Sequence, residues 1–385
     1  MLYLPAFLVA VALPSVVASA PFDEFPGDMI PVPGRGWRPK SEVRLIPHGG
    51  RVVAAGDEFH LLDADDNIIH VAHNGRNVSL NKRDGVTSPG WITMAVRDGS
   101  TSQDITSSTA TWTVPAAPLT HHTQLLYYFN ALASPNLLLQ PVLRFSFDGW
   151  SVNSWFLTPT MNYVTTTVPV QVGQVLTGVM TQTKHSATSY SVTSKFTGLA
   201  NSSFSGTATE PVYDAYACAL ETYSITPYSL DYPAGTLTFS DVSLTFAGTA
   251  PTVTYGTYSW HTDIGTTDII TNGIKGAKMV IHHPTPFQLM TFCTGANFTG
   301  SCDTVAYPSA ASVPLASAGV QCASNLTSPF LASISSVKIL PTAGYACHLY
   351  TNASCAGTQH LVNNVQNVLA SDFNDLARSW SCNKV

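Results

Sequence analysis

Charge is scarce in this chain. Asp, Glu, Lys and Arg together make up 10% of its 385 residues, and the net balance is only −6. With no basic clusters it has nothing to neutralise phosphates with, and a hydrophobic share of 45% separates it from disordered chains. Neither nucleic acid nor an anionic membrane surface is an expected partner. Long apolar runs are missing after the first twenty residues, which excludes a membrane-spanning segment there. Helical periodicity is missing too: from Asp84 to His283 no apolar pattern of period 3.6 survives three turns. Chelating spacing is absent, because His121-His122 and His282-His283 are adjacent pairs and neighbours on a strand point to opposite faces. No metal or cofactor is expected. Glutamate is nearly missing: past residue 83 it occurs only as Glu210 and Glu221, which leaves two candidates for any chemistry that needs it.

What is present begins with an apolar stretch, Leu2 to Ala18, interrupted by Pro14 and ending in small residues before Pro21. It is too short to span a bilayer and reads as a signal peptide over 1–20, so the protein is expected to be secreted into the extracellular space. Most of the charge follows, in 21–83. Val43–Ile46, Arg51–Ala54, Phe59–Leu62 and Ile68–Ala72 are expected as short strands, and Asp63, Asp65 and Asp66 as a plain turn lacking the Gly and Glu of a calcium loop. The segment ends at Lys82-Arg83, a dibasic pair where a secretory protease would cut, which makes 21–83 propeptide-like.

Residues 84–283 read as one β-sandwich domain. Short Val/Thr/Tyr/Phe runs recur between Gly, Pro, Asn and Ser, among them Trp91–Val96, Thr109–Val114, Leu125–Phe129, Leu137–Phe147, Ser151–Leu157, Thr165–Val172, Val175–Thr183, Ser189–Phe196, Cys218–Ile225, Leu237–Thr245 and Thr252–Tyr258. Within Leu137–Phe147 the alternation puts Leu138, Gln140, Val142 and Arg144 on one face and Leu139, Leu143 and Phe145 on the other. A glutamine among leucines either lines a solvated groove or needs a dedicated partner. Glu221 shares a face with Ala219, Tyr223 and Ile225. Cys218, on the other face, is expected to be a buried thiol.

The order Gly90-Trp91-Ile92, Ala110-Thr111-Trp112-Thr113-Val114-Pro115, Leu138-Leu139-Gln140, Ser154-Trp155-Phe156, Val170-Gln171-Val172-Gly173-Gln174 and Tyr190-Ser191-Val192 resembles the eqolisins, secreted fungal glutamic peptidases. The resemblance covers about residues 88–250 and implies a concanavalin A-like or jelly-roll sandwich. It also implies a mechanism in which a glutamate activates water and a glutamine amide stabilises the oxyanion, a division of labour that makes chemical sense. Gln140 matches the family's glutamine. Where the family has Ala-Glu-aromatic-Ile-x-Glu, with the second Glu catalytic, Glu221 falls on the first and Ile225 on the second. Gln140 and Glu221 are the candidate catalytic pair, and Trp91, Trp155 and Tyr223 the candidate walls for an extended ligand.

The last hundred residues, 284–385, hold Cys293, Cys302, Cys322, Cys347, Cys355 and Cys382, an even set that reads as a disulfide framework of open pairing. Cys293…Phe298…Gly300 repeats the spacing of Tyr350…Cys355…Gly357. With Ile334-Ser335-Ser336-Val337 and Ala377-Arg378-Ser379-Trp380 this resembles the β/γ-crystallin motif, implying a small double Greek key with no calcium or one poor site. Asn77, Asn201, Asn297, Asn325 and Asn352 begin Asn-x-Ser/Thr acceptors.

The expectation is therefore an all-β secreted protein, a glutamic-peptidase-like hydrolase acting on an extended polypeptide in acid. A non-catalytic lectin-like or wall-associated module, binding glycan on the same sandwich, competes with it. Carbohydrate cleavage ranks third and requires Asp148 or Asp214 to pair with Glu221.

Overall fold

The computed structural model describes residues 27–73, 90–100, 103–118, 123–225, 231–260, 265–283, 287–307, 324–326, 328–339, 345–362, 365–366, 368–369 and 373–384. Among them are strands and short 3-10 turns, and no α-helix. The N-terminal segment gives β1 (Met29–Val32), β2 (Gly36–Pro39), β3 (Val43–Leu45), β4 (Arg51–Ala55), β5 (Glu58–Leu62) and β6 (Ile68–His73). The next strands are β7 (Trp91–Arg97), β8 (Ile105–Thr113), β9 (Leu125–Ala133), β10 (Leu138–Ser146), β11 (Gly149–Leu157), β12 (Asn162–Val164) and β13 (Val168–Pro169). The sandwich is completed by β14 (Val175–Ser186), β15 (Ser189–Phe196), β16 (Leu199–Ala208), β17 (Asp214–Tyr223), β18 (Thr236–Phe246), β19 (Gly256–Ser259), β20 (Thr266–Thr271) and β21 (Ala277–His282).

Two sheets form the sandwich. One runs β19-β7-β17-β9-β10-β11-β12-β3 with β13 beside β11, and the other runs β20-β21-β18-β8-β14-β15-β16-β4-β5-β6. Their facing sides bury a core in which Trp112, Phe145, Phe156, Phe196, Phe204 and Phe239 are almost fully removed from water. Large aromatics dominate because two β-faces about 10 Å apart need volume from both sides. Phe156 packs at 4.9 Å against Phe204 and at 5.9 Å against Phe59.

The N-terminal segment is thus built into both sheets. β3 pairs in parallel with β12, β4 with β16, and Val52, Phe59 and Leu61 lie in the core. Cutting at Lys82-Arg83, which lies outside the described residues, is therefore expected to leave a nicked molecule whose fragments stay together. Native gel filtration followed by mass spectrometry checks this, and a free 21–83 fragment in native buffer would contradict it. Phe59→Ala should cost about 3–5 kcal/mol, the usual loss for a buried phenylalanine.

Several elements differ from expectation. Thr165–Val172 is not one strand, because Pro169 has no N–H to donate and only Val168–Pro169 pairs, with β11. β16 and β20 were not expected, their runs being polar with few aromatics, and neither was β21. The strand expected at Thr252–Tyr258 starts later and ends one residue further on, as β19, Gly256–Ser259.

The carboxy-terminal module has two four-stranded sheets, built from β22 (Phe287–Gly295), β23 (Thr299–Tyr307), β24 (Ser324–Asn325), β25 (Ser336–Ile339), β26 (Tyr345–Tyr350), β27 (Gln359–Val362), β28 (Val365–Gln366) and β29 (Ser379–Lys384). The repeat is carried into the backbone. The Ser336 hydroxyl accepts from the Phe298 amide and donates to the Gly295 carbonyl, and the Ser379 hydroxyl does the same with Cys355 and Asn352. Cys293 and Cys302 form a disulfide with each other, and Cys347 and Cys355 are each in a disulfide too. Cys322 lies outside the described residues. Asn201, Asn297 and Asn352 are exposed, as glycan acceptors must be, while Asn77 lies outside the described residues.

Candidate active-site groove

The sheet that contains β10 and β17 has a second apolar side, facing away from the sandwich core. Leu138, Val142, Phe129, Trp155, Ala219 and Tyr223 line it, and they pack with Ile30 and Val32 of β1. Gln140 and Glu221 rise from this side. The alternation in β10 that puts Leu139 and Leu143 into the core turns Leu138, Gln140 and Val142 outward. In β17 the same alternation puts Cys218 and Leu220 inward and Ala219 and Tyr223 on the groove side, with Glu221 between them. One strand, β9, separates the pair.

What lies between them is the tip of the β1–β2 hairpin. Val32 to Arg35 is a reverse turn closed by the Arg35 amide donating to the Val32 carbonyl at 2.9 Å. Pro33 and Gly34 are its central residues, and Gly34 has φ +87°, the pairing that a type II turn requires. The Gln140 Nε2 donates to the Pro33 carbonyl at 2.7 Å, and the Gly34 amide donates to Glu221 Oε2 at 2.6 Å. These two groups belong to one peptide unit. A trans peptide points its C=O and N–H to opposite sides, so this single unit bridges the two walls of the groove.

Glu221 is completely removed from water, as is Gln140. The acid is not sealed behind aliphatic packing, however. The Tyr223 hydroxyl donates to its Oε1 and the hairpin supplies the donor to Oε2. Gly90 makes the approach possible: a Cβ there would sit 3.0 Å from Glu221 Cγ and 2.7 Å from the Tyr223 ring. In the sequence the Gly90-Trp91 pair stands out only as part of a pattern. The amide oxygen of Gln140 is buried with no donor among the described residues.

Further contacts hold the hairpin. The Tyr127 hydroxyl donates to the Pro31 carbonyl at 3.0 Å, Arg35 donates to Asn162 at 3.1 Å, and Trp37 meets Tyr223 edge-on at 5.6 Å. Burial lowers the Arg35 guanidinium to about 9, helped by the charge of Arg38. A buried cation with one side-chain partner among the described residues, an amide, sits at a cost.

The other expected site residues divide. Trp155 is buried in the groove floor and its indole N–H donates to Asn153 at 2.8 Å. Trp91 is half-buried and packs with Phe129, Tyr216 and Trp260 at the β7 side. Tyr223 touches the acid itself. Ile225 does not share the side of Glu221: the chain turns at Ser224, φ +52°, and Ile225 packs against the sandwich core. Asp214 begins β17, seven residues before Glu221, and accepts from the Gly99 amide at 2.7 Å. Asp148 is in the β10–β11 turn with Ser146 and Arg144. His121-His122 lie outside the described residues. Cys218 is a buried free thiol, pushed up to about 12 by burial.

His283 is buried beside Tyr128, its Nε2 2.8 Å from the phenol oxygen, and burial lowers its imidazole to about 4. The neutral ring is the form the fold favours. Stability from this residue is therefore complete above about pH 6.5 and is lost as pH falls toward about 4, a change on the order of 3 kcal/mol. Urea titrations at pH 7 and pH 4 check this. His283→Gln should flatten the dependence, and an unchanged slope would contradict it.

No protein-family model and no curated protein matches the chain. Solved structures do. One is scytalido-glutamic peptidase with a peptide-based transition-state analogue, at 15% identity and a TM-score of 0.36, covering 50% of this chain and 98% of that one. Another is SCP-B, a member of the eqolisin family in complex with the tripeptide Ala-Ile-His, at 14% identity and a TM-score of 0.33, with 50% and 98% covered. A β/γ-crystallin domain from Flavobacterium johnsoniae matches at 20% identity and a TM-score of 0.18, covering 25% of this chain and 94% of that one.

Proposed function

We propose that this chain is a polypeptide hydrolase in which Glu221 moves protons and Gln140 steadies the oxyanion, and that its groove is filled by its own hairpin. One observation carries the reading: the Pro33–Gly34 peptide unit offers its carbonyl to the amide and its N–H to the acid. Those are the two atoms that need help when a peptide bond breaks. Water adds to the carbonyl carbon as Glu221 takes its proton, and the negative charge on the carbonyl oxygen is met by the Gln140 N–H. The C–N bond then breaks and the nitrogen takes the proton from Glu221, giving a carboxylic acid and an amine. Denatured casein at acid pH is the test substrate, assayed beside Gln140→Ala and Glu221→Gln. Hydrolysis that survives both changes would remove the mechanism.

A binding module on the same groove is the second reading. What favours it is that both oxygens of Glu221 already accept hydrogen bonds, leaving the acid tied rather than poised. Ligand capture without turnover, by a protein whose hairpin has been displaced, would select it. In either case we read the chain as secreted, on the strength of Leu2 to Ala18 and the disulfide-bonded cysteines.

A further inference from the structure

We infer that the groove recognises a Pro-Gly reverse turn, and that Leu138 is the residue that restricts the position on the amine side of the bridging peptide to glycine. This rests on the proposed site but concerns what the site accepts. A Cβ on Gly34 would lie 2.3 Å from Leu138 Cδ2, 3.6 Å from Leu157 Cδ1 and 3.8 Å from Gln140 Nε2. The first is far inside van der Waals contact. The clashing atom is a side-chain methyl, and for it to yield Leu138 must repack inside a filled cluster, since it is 5% exposed and stands with the fully buried Leu157 in the apolar groove cluster.

Backbone and side chain thus ask for the same thing. The φ of +87° already favours glycine, and Leu138 and Leu157 close the space that any other residue would fill. On the other side of the bond, proline fixes φ near the value that the first central residue of this turn requires. The turn is seated by groups that any such peptide carries: Gln140 takes its carbonyl and Glu221 its amide. The ligand class is therefore a polypeptide turn with glycine after the bridging carbonyl, and a side chain there is rejected by shape.

The test uses the full chain carrying Gly34→Val, to displace its own hairpin, with Glu221 kept in place to accept the turn's amide and mass spectrometry confirming that the peptide stays intact. The probe is a peptide with the sequence of residues 29–39 and an added cysteine at each end to close it as a disulfide, against the same peptide with alanine for the glycine that follows the second proline. Calorimetry is expected to show binding of the glycine peptide and a loss on the order of tenfold or more for the alanine peptide, the scale of overpacking a filled site. Adding Leu138→Ala should shrink that ratio severalfold without weakening the glycine peptide to the same degree. Equal binding of the two peptides, or a ratio that Leu138→Ala leaves unchanged, would overturn the inference. Binding is read here without catalysis. A protein that discriminates the peptides but never hydrolyses casein keeps this inference and loses the hydrolase, and one that hydrolyses casein but binds both peptides alike does the reverse.

Discussion

Glu221→Gln is expected to reduce casein hydrolysis by about 10²–10⁴-fold, the range that a positioned proton-transfer group supplies. The change is close to isosteric, so an intact circular dichroism spectrum should accompany the loss. Removing the amide by Gln140→Ala takes away one donor to the developing oxyanion, worth about 10²–10³-fold. The two act on the same transition state, so the double variant should lose much less than the product of the single effects. Steady-state kinetics at saturating substrate checks all three. A Glu221→Gln protein with full activity would leave the groove as a binding surface.

The second large effect has the opposite sign. Gly34→Val is expected to raise activity, because the hairpin can no longer seat. An L-residue in the left-handed region costs about 1–2 kcal/mol and overpacking against Leu138 about 1–3 kcal/mol more. Together these come to about 2–5 kcal/mol, a shift of ~30-fold or more away from the seated state. The core should be untouched, since Gly34 lies at a turn tip outside both sheets of the sandwich. Initial rates on casein for Gly34→Val and the parent chain make the comparison. Equal rates would mean that the hairpin does not limit access.

Much of the sandwich was legible because its strands carry β-branched and aromatic residues between Gly and Pro punctuation. β16 escaped because Leu199–Ala208 is mostly Ser, Asn, Thr and Ala, and its place in the sheet comes from pairing with β15 rather than from its own propensity. The Met29–Pro39 hairpin escaped for the opposite reason. Pro31, Pro33, Gly34, Gly36 and Pro39 read as breakers, and they are what lets a tight turn enter the groove. Gln140 stood out as an amide among leucines and Glu221 by scarcity. That they meet on one peptide unit was not legible, since Pro33 is 107 residues from Gln140 and Gly34 is 187 from Glu221. Nor was the departure of Ile225 from the side of Glu221, which depends on one positive φ at Ser224.

The Gly34 amide reports the convergence of Gln140 and Glu221 upon Pro33–Gly34. The sequence holds three Pro-Gly pairs, at 26–27, 33–34 and 89–90, so labelling proline carbonyls with ¹³C and glycine with ¹⁵N reduces the NMR spectrum to three cross-peaks. The peak lost in Gly34→Val is the one to follow. This amide is expected to resist hydrogen exchange, with a shift that moves on Glu221→Ala and again on Gln140→Ala. Exchange at the rate of an open turn, with a shift indifferent to both residues, would contradict the convergence.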